Sequence, residues 1–171
     1  WAAWQEAIYC FNQANTDNER MSEQLDWVLM SSALERILRA PGNSDAIAKR
    51  FIEAIVPKNP ILYFDLTLLR DWVREFYRLR GDCAHGRIQS RIPRRWESWH
   101  HLLFGAIAFP LLSKALLENE KSYVFTENDH CQLAALAWML REALDTSATA
   151  KSWRQYISDQ HLLIRRSPMA S

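Results

Sequence analysis

Leu66-Thr67-Leu68-Leu69-Arg70-Asp71-Trp72-Val73-Arg74-Glu75-Phe76-Tyr77-Arg78-Leu79-Arg80, continued by Gly81-Asp82-Cys83-Ala84-His85-Gly86, decides how this chain folds. Leu66, Leu69, Val73, Phe76 and Leu79 recur at steps of three and four, which puts them on one side of an α-helix with arginines spaced between them. Asp65 stands where an N-cap belongs, and Gly86 where a helix ends. A half-buried strand would alternate apolar and polar residues, and this stretch does not.

The rest of the chain reads the same way. With four glycines in 171 residues and long runs at helical period, the sequence predicts an all-α bundle of about five to seven helices. Trp1 to Asn12 forms a first helix. Ser22 to Arg39 forms a second, with apolar positions Leu25, Val28, Leu29, Ala33 and Ile37 and a stop at Ala40-Pro41-Gly42. Ser44 or Asn43 caps a third, Asp45 to Val56, and Lys58-Asn59-Pro60 is a turn. A loop from Gly86 to Pro93 leads to a helix from about Arg94 to Leu117, kinked or split at Pro110. Thr126 opens a helix to Leu144 with Asp129 at a capping-box position, and Lys151 to Leu163 is a shorter helix.

The length suits one domain around one core. Because the chain opens on Trp1 rather than methionine, it reads as a domain excised from a longer chain, with a partner domain upstream. The most apolar run, Leu102 to Leu117, is broken by Pro110, Ser113 and Lys114, so no membrane span is expected. Cys10, Cys83 and Cys131 are odd in number and far apart, as reduced thiols in a cytoplasmic protein would be. Most of the eight tryptophans read as core fillers: Trp96, Trp99 and Leu103 on one face, Trp138 among Ala134, Leu136 and Leu140. Trp96, directly after Arg94-Arg95, is the one placed to stack on a base.

Net charge is only +1, but it is unevenly spread. Eight arginines (70, 74, 78, 80, 87, 91, 94 and 95) stand against Asp71, Glu75 and Asp82, a balance of +5 set against −4 for the remainder. A positive segment on a near-neutral chain is the footprint of a localised anion site, or else a solvated helix face.

Within that segment, Arg80 and His85 are the parts needed for RNA cleavage without a metal. The 2′-hydroxyl of RNA attacks its own phosphate once a base takes its proton, and a cation balances the charge that develops on the phosphorane. Histidine supplies the proton transfer and arginine the permanent charge. Five residues on an ideal helix turn the two side chains about 140° apart, so one continuous helix does not aim both at one phosphate. Either Gly81 loosens the turn, or two copies of the motif face each other across a dimer. Arg78, seven residues before His85, lies nearly in line with it and is the alternative cation. Asp82 is placed either to orient the imidazole or to pair with Arg78. The competing reading of His85 is a helix C-terminal histidine favoured by the helix dipole. Cys83, His85, His130 and Cys131 lack zinc-ligand spacing, and His100-His101 reads as one interfacial and one exposed histidine, so neither a metal nor a cofactor is expected. The glycine loops and carboxylate clusters of kinases, hydrolases and two-metal nucleases are missing.

Two segments together resemble a known group. Leu29-Met30-Ser31-Ser32-Ala33-Leu34-Glu35-Arg36-Ile37-Leu38 precedes Phe76-Tyr77-Arg78-Leu79-Arg80-Gly81-Asp82-Cys83-Ala84-His85-Gly86 by some forty residues. This is similar to the HEPN superfamily, in its Apea-like HEPN branch, over about Trp4 to Leu144. The second segment resembles the Arg-x4-6-His signature, with its aromatic lead-in and trailing glycine. The resemblance implies a helical bundle that dimerises and sets two Arg/His motifs around one cleft. It implies a metal-independent endoribonuclease of a toxin or anti-phage defence system, cutting single-stranded or loop RNA such as tRNA. Arg80 and His85 match the signature pair, Glu35 matches the acidic residue of the first motif helix, and Tyr77 and Asp82 are supporting residues. Arg78, Arg87 and Arg74 would contact RNA. Gly81 departs from the pattern, since active members often carry a polar residue directly after the arginine. The alternative implied by the same group is a non-catalytic dimerisation, nucleotide-binding or sensor module of a larger defence protein.

Overall fold

The computed structural model describes residues 1–16, 22–40, 42–55, 66–84 and 95–144. Every regular element among them is helical: α1 (Ala2–Ala14), α2 (Glu23–Leu38), α3 (Ser44–Ile55), α4 (Leu66–Ala84), α5 (Ser98–Asn119) and α6 (Glu127–Glu142). The expected all-α class is met, with six helices among the described residues. The expected Asp65 cap, the Lys58–Pro60 turn, the Gly86–Pro93 loop and the helix from Lys151 to Leu163 lie outside them.

Local chemistry sets the helix ends. The Ser22 hydroxyl accepts from the Leu25 amide at 3.3 Å to open α2. Of the two residues named for α3, Asn43 is the cap, its Oδ1 accepting from the Ala46 amide at 2.8 Å. Thr126 and Asp129 form the expected capping box on α6, the Thr126 amide donating to Asp129 Oδ2 at 2.9 Å and the Asp129 amide to Thr126 Oγ1 at 3.3 Å. Helix α2 stops one residue before Arg39, which takes the left-handed conformation (φ 50°) usually left to glycine. The Arg50 guanidinium donates to the carbonyls of Leu38 and Arg39 there, so the side chain of α3 satisfies the end of α2.

Helix α5 starts at Ser98, four residues later than its sequence suggests, and runs unsplit through Pro110. Pro110 lies on the exposed side, where the carbonyl it deprives of a donor can turn to water. By length and composition α5 is long and apolar enough to cross a membrane, beyond what the interrupted run Leu102–Leu117 implied. Half of that stretch is buried within the fold, as in the core helix of a bundle.

Helix α1 packs on α2, α2 touches α3, α4 and α5, and α3 lies against α4 and α5, with α6 closing over α4 and α5. The centre is aromatic. Trp72 of α4 stacks on Phe76 and meets Phe51 and Phe104 edge-on, all three at 5.9 Å between ring centroids. Each of these four rings is at most 1% exposed, and each such burial stabilises the fold by roughly 2 to 3 kcal/mol. At Gly105 a Cβ would lie 2.7 Å from Met30 Cγ, so α2 and α5 approach closely only because that position carries no side chain. These contacts fix α2 beside the last turns of α4, where the signature arginine sits.

Candidate functional site

Helix α4 carries Arg80 one turn from its end, and α2 presents Glu35 to it. Arg80 Nη1 lies 2.9 Å from Glu35 Oε2 and donates to the Tyr77 hydroxyl at 2.7 Å. The guanidinium carbon also sits 5.2 Å from the centre of the Tyr77 ring, within cation–π range. Arg80 Nε has no hydrogen-bond partner among the described residues. Glu35 and Arg80 keep 24% and 29% of their side-chain surface exposed, so the cluster opens to solvent without being fully solvated. Burial raises the Tyr77 hydroxyl above its ordinary pKa; the Arg80 charge opposes that, and the Glu35 charge adds to it. The turn before α3 comes close, since a Cβ on Gly42 would lie 3.2 Å from the Tyr77 oxygen and 3.4 Å from Glu35 Oε1. Three residues singled out in the sequence, Glu35, Tyr77 and Arg80, are thus brought together from two helices.

The others are placed differently. Helix α4 continues through Gly81 to Ala84, so the glycine does not loosen the turn there. A Cβ on Gly81 would meet nothing within 4 Å among the described residues. Asp82 is half-buried, its Oδ2 has no hydrogen-bond partner, and it makes no ion pair with Arg78 among the described residues. Arg70, Arg74 and Arg78 follow at four-residue steps along one face. Arg74 Nε pairs with Asp45 Oδ1 at 2.6 Å, and Arg95 Nη1 with Asp71 Oδ2 at 2.6 Å. Arg70 and Arg78 are exposed and carry no ion pair among the described residues, while Asp45 of α3 on Arg74 and Glu35 of α2 on Arg80 offset part of the positive balance read from the sequence. His85 follows directly on Ala84 and, like Arg87, lies outside the described residues.

Sequence reasoning missed Glu75. It counted only as one negative charge, yet its carboxylate is buried and accepts from the Arg95 amide at 3.1 and 3.0 Å, from the Trp96 amide at 3.2 Å and from His101 Nε2 at 3.1 Å. Burial pushes its pKa up, but the His101 and backbone hydrogen bonds outweigh it and hold the carboxyl below its ordinary value. His101 is fully buried, stacked on Phe76 at 5.6 Å, and His100 is also buried. The expectation that one of the two histidines is exposed is therefore wrong. His100 Nδ1 accepts from the Glu97 amide at 3.1 Å, and burial lowers the His100 pKa. The signal available was position: Glu75 lies among the apolar residues of α4, next to Phe76, where a charge needs partners.

Trp96 also departs from expectation. It is buried, precedes α5 rather than sharing its face with Trp99 and Leu103, and donates from Nε1 to the Leu140 carbonyl at 3.2 Å, so it is not open to a base. Cys10, Cys83 and Cys131 form no disulfide with one another. Among the described residues, no three His, Cys, Asp or Glu side chains gather as a metal ion requires.

No protein-family model matches this chain, and neither a curated protein nor a solved structure matches it.

Proposed function

We propose that this chain is a HEPN-like, metal-independent endoribonuclease that acts on single-stranded or loop RNA as a homodimer in the cytoplasm. One observation carries the reading: Arg80 is held on α4 by Glu35 and Tyr77, five residues before His85, with Arg78 exposed on the same helix. Arg80 Nη2, the terminal nitrogen not engaged by that pair, would meet the scissile phosphate, and His85 would exchange the proton of the 2′-hydroxyl. Attack of the 2′-oxygen on phosphorus breaks the bond to the 5′-oxygen, leaving a cyclic phosphate and a 5′-hydroxyl. Because α4 stays helical through Gly81, the reading needs a second copy to complete the site. RNA loops suit it because their unstacked backbone can adopt in-line geometry.

The test is cleavage of labelled RNA in EDTA by wild type, His85→Ala and Arg80→Ala. Both variants are expected to lose at least about a hundredfold in rate, with cyclic-phosphate ends on the wild-type products. Equal cleavage by all three, or cleavage abolished by the chelator, overturns the proposal.

A second reading draws on the same ion pair. Glu35 offsets the Arg80 charge, which favours a non-catalytic dimerisation or nucleotide-binding module. It expects intact RNA with wild type, and nucleotide binding that weakens in Arg78→Ala and Arg80→Ala.

A further inference from the structure

The strongest feature outside the Arg80 cluster is the buried carboxylate of Glu75. It lies on α4 nine residues before Ala84, about 13 Å up the helix axis from the end where the His85 segment begins. Arg95, the first described residue after that segment, has its amide on this carboxylate. Arg95 is therefore fastened to the middle of α4, eleven residues after that helix ends at Ala84. The fastening is doubled on the surface by Arg95 and Asp71, 2.6 Å apart and one turn further up α4.

The chemistry of the buried half is specific. A carboxylate only accepts, and here it meets three donors: two consecutive backbone amides and one imidazole nitrogen. His101 Nδ1 is buried with no partner among the described residues, so the ring is best satisfied with its proton on Nε2, aimed at Glu75. Phe76, Trp27 and Trp96 surround that imidazole at ring distances of 5.6 to 6.2 Å and exclude water from it. A buried charge with such partners costs much to form and is useful mainly for fixing one arrangement of backbone over its competitors.

We infer that Glu75 and His101 are positioning residues: together they clamp the Arg95–Trp96 backbone onto α4 and so fix how the chain enters α5 beside the helix that carries Arg80. The part that concerns Arg80 rests on the nuclease reading above; the clamp itself does not. Glu75 touches no substrate in this scheme. It acts through the backbone of Arg95 and Trp96.

The experiment has two arms on the full chain. Amide hydrogen exchange is followed at Arg95 and Trp96 in wild type, Glu75→Gln and Glu75→Ala. Protection at these two amides is expected to fall by at least about tenfold in Glu75→Ala and less in Glu75→Gln, while the Leu69–Phe76 amides of α4 stay protected. The near-isosteric Gln variant keeps one acceptor oxygen, and so remains informative where the Ala variant unfolds. Equal protection at Arg95 and Trp96 in wild type and in every folded variant overturns the clamp, whatever the chain does to RNA. In the second arm, Glu75→Gln and His101→Phe are expected to lower kcat for RNA cleavage by about tenfold with KM within about threefold, and His101→Gln, which can still donate to Glu75, to recover most of it. Unchanged kcat in the first two overturns the positioning role while leaving the clamp to the exchange result. A wild type that cleaves no RNA overturns the nuclease reading and with it the positioning role, and again leaves the clamp to exchange.

Discussion

Arg80 Nη1 stands 2.9 Å from Glu35 Oε2 across the contact between α2 and α4, and the same nitrogen reaches the Tyr77 hydroxyl. The pair has two opposed effects. It removes rotamer freedom from a long cation, which favours a fixed phosphate contact, and it offsets part of the charge a phosphate would feel.

Replacing Glu35 separates those effects. Glu35→Gln leaves a side chain of the same shape without the charge, so Arg80 becomes a full cation with a looser position. RNA affinity is expected to rise at low salt, and the salt slope of binding to steepen by roughly 0.7, the contribution of one additional single-strand phosphate contact. Cleavage at saturating RNA is expected to fall by about tenfold because the guanidinium is no longer held. Titration of labelled RNA across a salt series checks the first, and single-turnover cleavage the second. An unchanged slope would mean that the Glu35 charge does not hold back a phosphate contact at Arg80.

Two glycines give opposite expectations for the same substitution. Gly81→Ala adds a methyl group where no described residue lies within 4 Å, inside a helix, and is expected to stabilise the fold by roughly 0.5 to 1 kcal/mol. Gly105→Ala drives a Cβ to 2.7 Å from Met30 Cγ in the α2–α5 contact and is expected to destabilise it by about 1 to 3 kcal/mol. Urea titrations of both variants check the sign. Gly81→Ala with unchanged cleavage would also remove the glycine as a reason for a weak site.

Trp96 gives a third test, because its sequence position beside Arg94-Arg95 and its burial point to different roles. Trp96→Phe keeps most of the ring volume and loses the bond to the Leu140 carbonyl. Stability is expected to fall by about 1 kcal/mol, and RNA affinity measured on the folded variant to stay within about twofold. A selective loss of affinity with stability intact would restore the stacking role.

What was legible in the sequence follows from the range of the forces involved. The helical period of Leu66, Leu69, Val73, Phe76 and Leu79 is a local pattern, and the last four are buried on α4 as that pattern requires, while Leu66 at the start of the helix is exposed. Thr126 and Asp129 likewise carry their capping box within three residues. The start of α5 was misplaced because Arg94-Arg95-Trp96 has helix-compatible composition, while the backbone at Arg95 and Trp96 is claimed by Glu75, twenty and twenty-one residues away. The same long-range bond hides His101. Nothing within a helical turn of that histidine marks it as buried, since its partner comes from another helix. In the candidate site, Glu35 and Arg80 were chosen by motif, but their distance depends on how α2 packs on α4, which no local pattern encodes.

Asp129 is 1% exposed and receives Lys114 Nζ at 2.7 Å, the Tyr123 hydroxyl at 2.7 Å and both the amide and hydroxyl of Thr126. Burial alone would raise its pKa, but these donors reverse the shift and hold it far below the ordinary 3.8. Glu75 is likewise held below its ordinary 4.5. A carboxyl depressed in the folded chain binds a proton more readily when unfolded. The stability it confers is therefore complete above the ordinary carboxyl range and is lost as pH falls through it toward the folded value. The chain is expected to hold its melting temperature from neutrality down to about pH 5 as far as these two groups decide it, and to lose stability steeply below that. Asp129→Asn is expected to cost about 2 kcal/mol at neutral pH, and its deficit against wild type should narrow as pH drops below about 4, where the wild type loses the same advantage. Thermal melts of both proteins at half-unit steps from neutrality to strong acid measure this. Parallel curves with a constant gap would mean that the depressed Asp129 carboxyl is not the source of the acid sensitivity.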